Sequence, residues 1–273
     1  MPYTVYEFYS KDEVERDWLI SILSDHHFEG FEETNDSLKA YAPADKVTEI
    51  MVREILYDNE MQDLKFGHQP LEDKNWNEEW EKNFEPVVIA DRVAIRAPFH
   101  PPIKADYEII IEPKMSFGTG HHATTASMVQ GMLKEEIKGK TVLDFGSGTG
   151  VLAILAEKLG STHIVAIDNE EWAYNNCLEN VERNNCVCIK TIKGDDTFVF
   201  SEKFEVILAN INRNVILKNI AYWTTLLQPN AILMVSGILQ ADEKDILAEA
   251  KKNGLQLKDT IESNGWMAIT FTN

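Results

Sequence analysis

The chain has 273 residues, a length that suits one large domain or two smaller ones. Hydrophobic residues make up 44% of it and aromatic residues 10%, which is enough for a core and excludes a wholly disordered chain. The 45 acidic and 26 basic side chains give a net charge of −19. This charge disfavours direct nucleic-acid binding and favours a basic partner, although an acidic surface also serves solubility alone.

The sequence predicts a cytoplasmic protein without a membrane span. No window reaches the roughly 18–20 uninterrupted apolar residues of a spanning helix. The first residues carry neither the basic nor the apolar region of a secretory signal. The three cysteines, Cys177, Cys186 and Cys188, cannot build a disulfide framework and suit a reducing compartment.

Residues 1–68 are predicted to form a small α/β domain. Their strand and helix patterns follow the order β-α-β-β-α-β, which is typical of a ferredoxin-like fold. Ser10 and Glu13 have the spacing of a capping box at the start of the first helix. Residues 1–60 contain 15 acidic and five basic side chains, so we expect this domain to recognise a basic substrate.

Residues 69–86 are predicted to be a polar linker with a short helix. Asn77 is a candidate cap for that helix, which would carry Trp80. The simplest interpretation of Trp76 and Trp80 is a hinge packed on one domain.

Residues 87–273 are predicted to form an α/β domain built on a doubly wound, mostly parallel seven-stranded sheet. Short strands come first, followed by an alternation of strands and helices, and the chain ends in a hairpin with an Asn264-Gly265 turn. The alternating strands are predicted at 141–145, 164–167, 189–193, 206–209 and 232–236, and the helices near 151–159, 170–184, 214–227 and 242–253.

The most informative motif joins the first alternating strand to the following helix. It contains Asp144, Gly146, Gly148 and Gly150, and the helix begins at Val151. Glycines allow a tight turn and a close approach of a ligand to the backbone, while the helix amides favour a carboxylate or phosphate. An acidic Asp144 would repel a pyrophosphate but can orient a loop around a positively charged ligand.

The next predicted strand ends at Asp168, 18 residues after Gly150. A carboxylate at this position can accept hydrogen bonds from both hydroxyls of a ribose. The alternative role of Asp168 is to cap the helix that starts near Glu170. The glycine turn and Asp168 together indicate a ligand that contains adenosine.

The Asp-x-Gly-x-Gly-x-Gly pattern resembles motif one of class I S-adenosylmethionine-dependent methyltransferases. Together with four further stretches, it resembles the bacterial methyltransferases that act on large-subunit ribosomal protein eleven. The four stretches are residues 76–80 (WNEEW), 117–125 (FGTGHHATT), 208–211 (LANI) and 236–239 (SGIL).

This resemblance implies S-adenosyl-L-methionine as the cofactor and methyl transfer to amino groups, either lysine side chains or an N-terminal α-amine. It also implies a basic large-subunit ribosomal protein as the partner, no metal, and a monomer. Asn210 is expected to orient the amine without acting as a base, and the backbone carbonyl of Ile211 can assist it. The expected cofactor-binding residues are Phe117, Thr119, Gly120, Thr125, Asp144, Gly146, Gly148, Gly150, Asp168, Asp195 and Asn210.

Several of these residues have alternative roles. Thr125 could bond back to its own helix, and Asp195 could belong to an ordinary turn after a strand. His121 and His122 are interpreted as structural residues at a helix N-terminus, because no acidic or cysteine partner has metal-ligand spacing.

Two other functions remain possible at this point. Asn210 and the three residues after it loosely echo the Asn-Pro-Pro-aromatic motif of methyltransferases for bases or glutamine, but both prolines and the aromatic residue are missing. A non-catalytic ribosome-assembly module could also have kept the cofactor fold. The intact glycine turn and Asp168 argue against the second alternative.

Overall fold

The computed structural model describes residues 3–70, 84–114 and 117–273. Contacts between α-carbons divide the chain into two compact units, Met1–Asn83 and Phe84–Asn273. The predicted linker helix with Trp76, Asn77 and Trp80 lies outside the described residues.

The first unit has the predicted β-α-β-β-α-β order. Its four-stranded sheet is antiparallel in the order β2-β3-β1-β4, which confirms the ferredoxin-like arrangement. The elements are β1 (Tyr3–Tyr9), α1 (Glu13–Ser24), β2 (Gly30–Glu33), β3 (Ser37–Pro43), α2 (Glu49–Asp58) and β4 (Phe66–Pro70).

Alternation along β1 turns Tyr6 and Phe8 into the core of this unit, where Leu19 and Leu23 of α1 meet them. The predicted capping box is wrong, because Asp12 caps α1 instead: its carboxylate accepts a hydrogen bond of 3.0 Å from the Val14 amide. Strand β4 runs to Pro70, so it extends two residues into the predicted linker of 69–86.

The second unit contains the predicted seven-stranded sheet in the order β10-β9-β8-β11-β12-β14-β13, beside a three-stranded sheet β5-β6-β7. Strand β14 is antiparallel to both of its neighbours, and the five strands from β10 to β12 are parallel. The elements are β5 (Val87–Ile89), β6 (Val93–Arg96), β7 (Tyr107–Ile110), α3 (Ala123–Lys134), β8 (Thr141–Phe145), α4 (Val151–Lys158), β9 (His163–Asp168), α5 (Glu171–Arg183), β10 (Ile189–Lys193), β11 (Phe204–Asn210), α6 (Arg213–Leu226), β12 (Leu227–Leu239), α7 (Glu243–Lys252), β13 (Gln256–Ser263) and β14 (Trp266–Thr272).

Each face of the large sheet is covered by its own apolar core. Val142 of β8 belongs to the core that contains α3 and α4, and its neighbour Leu143 belongs to the core that contains α6. Such two-sided burial is typical of a doubly wound sheet. The carboxyl ends of β8, β9 and β11 therefore meet at one edge, where ligands bind in this kind of fold.

Strand β12 begins at Leu227, five residues before the predicted start at 232, because Leu227 already pairs with Phe204 of β11. Within the described residues, every helix is too short or too polar to cross a membrane.

Candidate active site

The glycine turn after β8 has a backbone that only glycine fits. Gly146 and Gly148 have φ angles of 74° and 54°. A β-carbon on Gly146 would lie 2.3 Å from Cγ2 of Ile211, and one on Gly148 would lie 2.4 Å from the carbonyl oxygen of Phe117. The turn is therefore held closely against the segment after β11 and the loop before α3.

Asp168 at the end of β9 is tied to this turn. Its Oδ2 accepts a hydrogen bond of 2.8 Å from the Gly148 amide, and its Oδ1 accepts one of 3.0 Å from the Glu170 amide. The second bond supports the residue that precedes α5, but the N-cap of α5 is Glu170, so Asp168 does not cap this helix as its alternative role proposed. Each oxygen keeps a further lone pair, which can accept a ribose hydroxyl.

Asp144 lies in the core, with 1% of its surface exposed. Its Oδ2 accepts a hydrogen bond of 3.1 Å from the Ala153 amide, which ties α4 to the end of β8. Burial raises the pKa of this carboxyl to about 7, and the negative charge of Asp168 acts in the same direction. Gly150, the N-cap of α4, is also buried, and a β-carbon there would meet the Cys177 sulfur at 2.6 Å. Asp144 and Gly150 therefore shape the glycine turn from its buried side.

Two cavities open at this edge of the sheet, with volumes of about 380 and 470 Å³. Both are lined by Gly146, Asp168, Asn169, Ile211 and Asn212. The first is also lined by Phe117, His122, Thr124, Gly148, Trp172, Ala173, Asn210, Gly237 and Trp266. The second adds Phe145, Ile167, Glu170, Gly194, Asp195, Asp196 and Val215.

Asn210 lines the first cavity and has an unpaired polar atom. Its Nδ2 donates a hydrogen bond of 3.4 Å to Thr125 Oγ1, while its Oδ1 is buried without a hydrogen-bond partner. A buried polar atom of this kind is costly unless a ligand satisfies it. Thr125 is fully buried and supports Asn210, and the neighbouring Thr124 lines the cavity.

The segment after β11 is equally fixed. The Ile211 amide donates a hydrogen bond of 3.1 Å to the Ser236 carbonyl. A β-carbon on Gly237 would lie 2.2 Å from the Ile211 carbonyl oxygen, so this position also requires glycine.

The loop before α3 reaches the cavity through Phe117. The Thr149 amide donates a hydrogen bond of 3.0 Å to the Phe117 carbonyl, which joins this loop to the glycine turn. Thr119 and Gly120 are absent from the described walls of both cavities. Thr119 Oγ1 lies 3.2 Å from His121 Nδ1, and a β-carbon on Gly120 would meet Ile95 Cδ1 at 2.8 Å. These two residues hold the loop in place.

Asp195 lines the second cavity and also forms a turn. Its Oδ1 accepts hydrogen bonds from the Thr197 amide at 2.9 Å and from the Thr197 hydroxyl at 2.6 Å. These hydrogen bonds hold the pKa of Asp195 below its usual value. The turn that was the alternative interpretation of Asp195 is therefore present in the structure. Because Asp195 also lines the second cavity, it can still contact a ligand there.

Sequence reasoning did not select the aromatic residues of the first cavity as a group. His122 caps α3, since its Nδ1 accepts a hydrogen bond of 3.3 Å from the Thr124 amide, in agreement with the structural role expected for it. Its ring lies 5.1 Å from Phe117 and 4.9 Å from Trp266, measured between ring centres. Trp172, on the first turn of α5, is 49% exposed. These four aromatic residues are distant in the sequence, so no short sequence pattern predicts that they line one cavity.

Comparison with known proteins identifies the family. A family model described as "Ribosomal protein L11 methyltransferase (PrmA)" matches residues 11–273. A protein of Bacteroides thetaiotaomicron named ribosomal protein L11 methyltransferase is 38% identical, with 100% of both chains covered. A Bacteroides fragilis protein of the same name is 39% identical over 95% of this chain and 94% of its own. The crystal structure of a ribosomal protein L11 methylase from Lactobacillus delbrueckii matches 69% of this chain and 98% of its own, with a TM-score of 0.64 and 26% identity.

Proposed function

Since the chain belongs to the ribosomal protein L11 methyltransferase family and is an S-adenosylmethionine-dependent protein methyltransferase, we propose that it methylates amino groups of ribosomal protein L11. The acceptors in this proposal are lysine side chains, an N-terminal α-amine, or both. The observation that carries the proposal is that Asn210 lines the first cavity and has a buried, unpaired Oδ1, an acceptor that suits an amine donor.

The two cavities fit the cofactor. When bound, S-adenosylmethionine supplies a sulfonium methyl group for displacement by an amine. We assign its ribose to Asp168, its adenine to the side of Asp195, and its amino-acid part to the turn at Gly146 and Gly148. Asp144 and Gly150 act by holding that turn, and Phe117, Thr119 and Gly120 act through the loop before α3.

Asn210 orients the acceptor in this proposal. Its Oδ1 accepts an N–H of the neutral amine, so that the nitrogen lone pair is directed away from Asn210, and Thr125 fixes the amide from behind. The Ile211 carbonyl is a second acceptor at the same wall. Neither group can remove a proton, so the amine loses its proton to water. Positioning of the amine beside the methyl group supplies most of the rate acceleration.

We further propose that residues 1–68 recognise the substrate, that 69–86 link the two parts, and that 87–273 perform the transfer. The first 60 residues contain ten more acidic than basic side chains, which favours capture of a basic protein in the cytoplasm. Such capture weakens with salt, because exposed charges are screened beyond about 8 Å at physiological ionic strength. We expect the protein to act as a monomer.

The test is transfer of a labelled methyl group to purified ribosomal protein L11, compared between the wild type, Asn210→Ala and Asn214→Ala. Asn214 is an exposed asparagine four residues away on α6 and serves as the matched control. We expect Asn210→Ala to lower kcat more than tenfold, with the cofactor Kd changed less than about threefold. A wild type that binds cofactor but leaves ribosomal protein L11 unlabelled would contradict the substrate. A normal kcat with weakened cofactor binding in Asn210→Ala would reassign Asn210 to the cofactor.

A further inference from the structure

Helix α5 carries a column of three asparagines on the side that meets the chain at the end of β7. Asn176, Asn180 and Asn184 are spaced four residues apart, so their side chains lie one above another along the helix. Asn176 and Asn180 have only 1% and 0% of their surface exposed, although proteins mostly leave asparagine exposed. A buried amide needs partners for its donors and its acceptor, so the partners of this column show what it holds in place.

The column pairs with the end of β7 as a neighbouring strand would. Asn184 accepts a hydrogen bond of 2.9 Å from the Ile110 amide and donates one of 2.7 Å to the Ile110 carbonyl. Asn180 Oδ1 accepts a hydrogen bond of 2.8 Å from the Glu112 amide. Two residues of extended chain span about 6.6 Å and four residues of helix rise about 6 Å, so the two repeats match.

The column leads toward the first cavity. Trp172 lies one helical turn before Asn176 on α5, and it lines this cavity. Phe117, five residues after Glu112, lines the same cavity. Helix α5 and the chain after β7 are therefore paired at a point from which both lead to the wall of the cofactor site.

Asn180 also holds the glycine turn. Its Nδ2 donates a hydrogen bond of 2.9 Å to the Thr149 carbonyl and one of 3.1 Å to Asn176 Oδ1. Thr149 is in turn bonded to the loop before α3, because its amide donates to the Phe117 carbonyl at 3.0 Å and its hydroxyl donates to the Gly118 carbonyl at 2.8 Å. Asn180 is absent from the described walls of both cavities, so it reaches the cofactor site from behind.

We propose that Asn180 is a positioning residue for S-adenosylmethionine, which fixes the glycine turn and the chain after β7 relative to α5 before the cofactor binds. It acts through the Thr149 carbonyl and the Glu112 amide and does not touch the cofactor. A binding surface built from separate segments loses affinity when those segments must be ordered on binding, and the Asn180 side chain moves this ordering into folding. The inference concerns the cofactor and is independent of which amine accepts the methyl group.

The experiment is calorimetry with S-adenosylmethionine on the full chain, which measures both the Kd and the number of sites per chain. The variants are Asn180→Ala and the control Asn184→Ala. The control removes two hydrogen bonds to the backbone of Ile110, and the described bonds of Asn184 do not reach the glycine turn. Both variants should unfold at lower urea concentration than the wild type, because each leaves backbone groups at the end of β7 without their partners.

The two variants should differ in cofactor affinity. Asn180→Ala should raise the Kd about tenfold with close to one site per chain, whereas Asn184→Ala should change the Kd less than about twofold. If Asn180 only stabilised the fold, its loss would lower the number of sites and leave the Kd unchanged, because the folded fraction would still bind normally. That result, or an equal rise of the Kd in both variants, would overturn the positioning role.

A measurement on the wild type tests the same inference if Asn180→Ala does not fold. Hydrogen exchange is compared with and without S-adenosylmethionine at the Glu112 amide, which Asn180 holds, and at the Ile110 amide, which Asn184 holds. Cofactor bound at the glycine turn should restrain Asn180 and slow exchange at Glu112 about threefold or more, with a smaller change at Ile110. Unchanged exchange at Glu112, or equal slowing at both amides, would overturn the proposal.

Discussion

Asp144→Asn is expected to remove a pH dependence from the stability of the protein. The substitution keeps the shape of the side chain and an oxygen that can accept from the Ala153 amide. Burial raises the pKa of Asp144 from 3.8 to about 7. Because the folded-state pKa is the higher one, folding favours the protonated carboxyl. Its contribution is complete below pH 3.8 and is lost as the pH rises through 7.

The size of the effect follows from proton linkage. A difference of about three pKa units corresponds to about 4 kcal/mol between full protonation and full ionisation. About 2 kcal/mol of this difference falls between pH 5.5 and pH 8, a range that avoids precipitation near the pI of about 4.7. An asparagine also brings an amide donor that needs a partner, which costs about 1–3 kcal/mol at every pH. The informative quantity is therefore the pH slope of the difference.

The assay is urea unfolding of the wild type and Asp144→Asn at several pH values across that range. Other titrating groups are common to both proteins, so they cancel in the difference between the two free energies of unfolding. We expect the wild type to lose about 2 kcal/mol relative to the variant as the pH rises from 5.5 to 8. If the difference between the two free energies of unfolding stays constant within about 0.5 kcal/mol over this pH range, the raised pKa of Asp144 is refuted.

Three further predictions concern the cofactor site and the backbone. Asp168→Ala should raise the cofactor Kd by about ten- to a hundredfold in calorimetry, because a charged acceptor worth about 1.5–3 kcal/mol is lost; an unchanged Kd would rule out the ribose assignment. Gly148→Ala should destabilise the protein by about 1–3 kcal/mol more than Gly139→Ala, because both glycines have positive φ but only Gly148 faces a backbone oxygen. Equal melting temperatures of the two variants would contradict this prediction. Ala90→Asn combined with Asp91→Gly should stabilise the fold by about 0.5–1 kcal/mol in urea unfolding, because φ angles of 52° and 54° between paired strands suit an Asn-Gly turn.

Three of the site residues that sequence reasoning found share one property, because each lies at or just after the carboxyl end of a strand. Gly146, Asp168 and Asn210 come directly at or after the ends of β8, β9 and β11, and parallel strands bring such ends to one edge. Their convergence could be predicted because the alternation of strands and helices determines the topology.

The residues that were missed depend on contacts between distant segments. Trp266 reaches the cavity because β14 inserts between β12 and β13, an arrangement that no short pattern encodes. A sequence motif also does not show how deeply a side chain is buried. Asp144 and Thr125 were expected beside the cofactor, yet both are buried behind the cavity wall. At the first helix, Ser10 and Asp12 are both good caps by residue type, and the helix begins directly after Asp12.

The distribution of charge around the first cavity suits an amine that must react in its neutral form. A lysine amine with a pKa of about 10.4 pays about 4–5 kcal/mol to become neutral at pH 7, and an α-amine with a pKa near 8 pays about 1 kcal/mol. A carboxylate beside Asn210 would stabilise the protonated amine and increase that cost. The described lining avoids this, because its one acid, Asp168, is engaged by the Gly148 and Glu170 amides at the end of β9. A neutral amide at Asn210 can position an amine without favouring its protonation, and so the absence of a base among these residues does not prevent transfer.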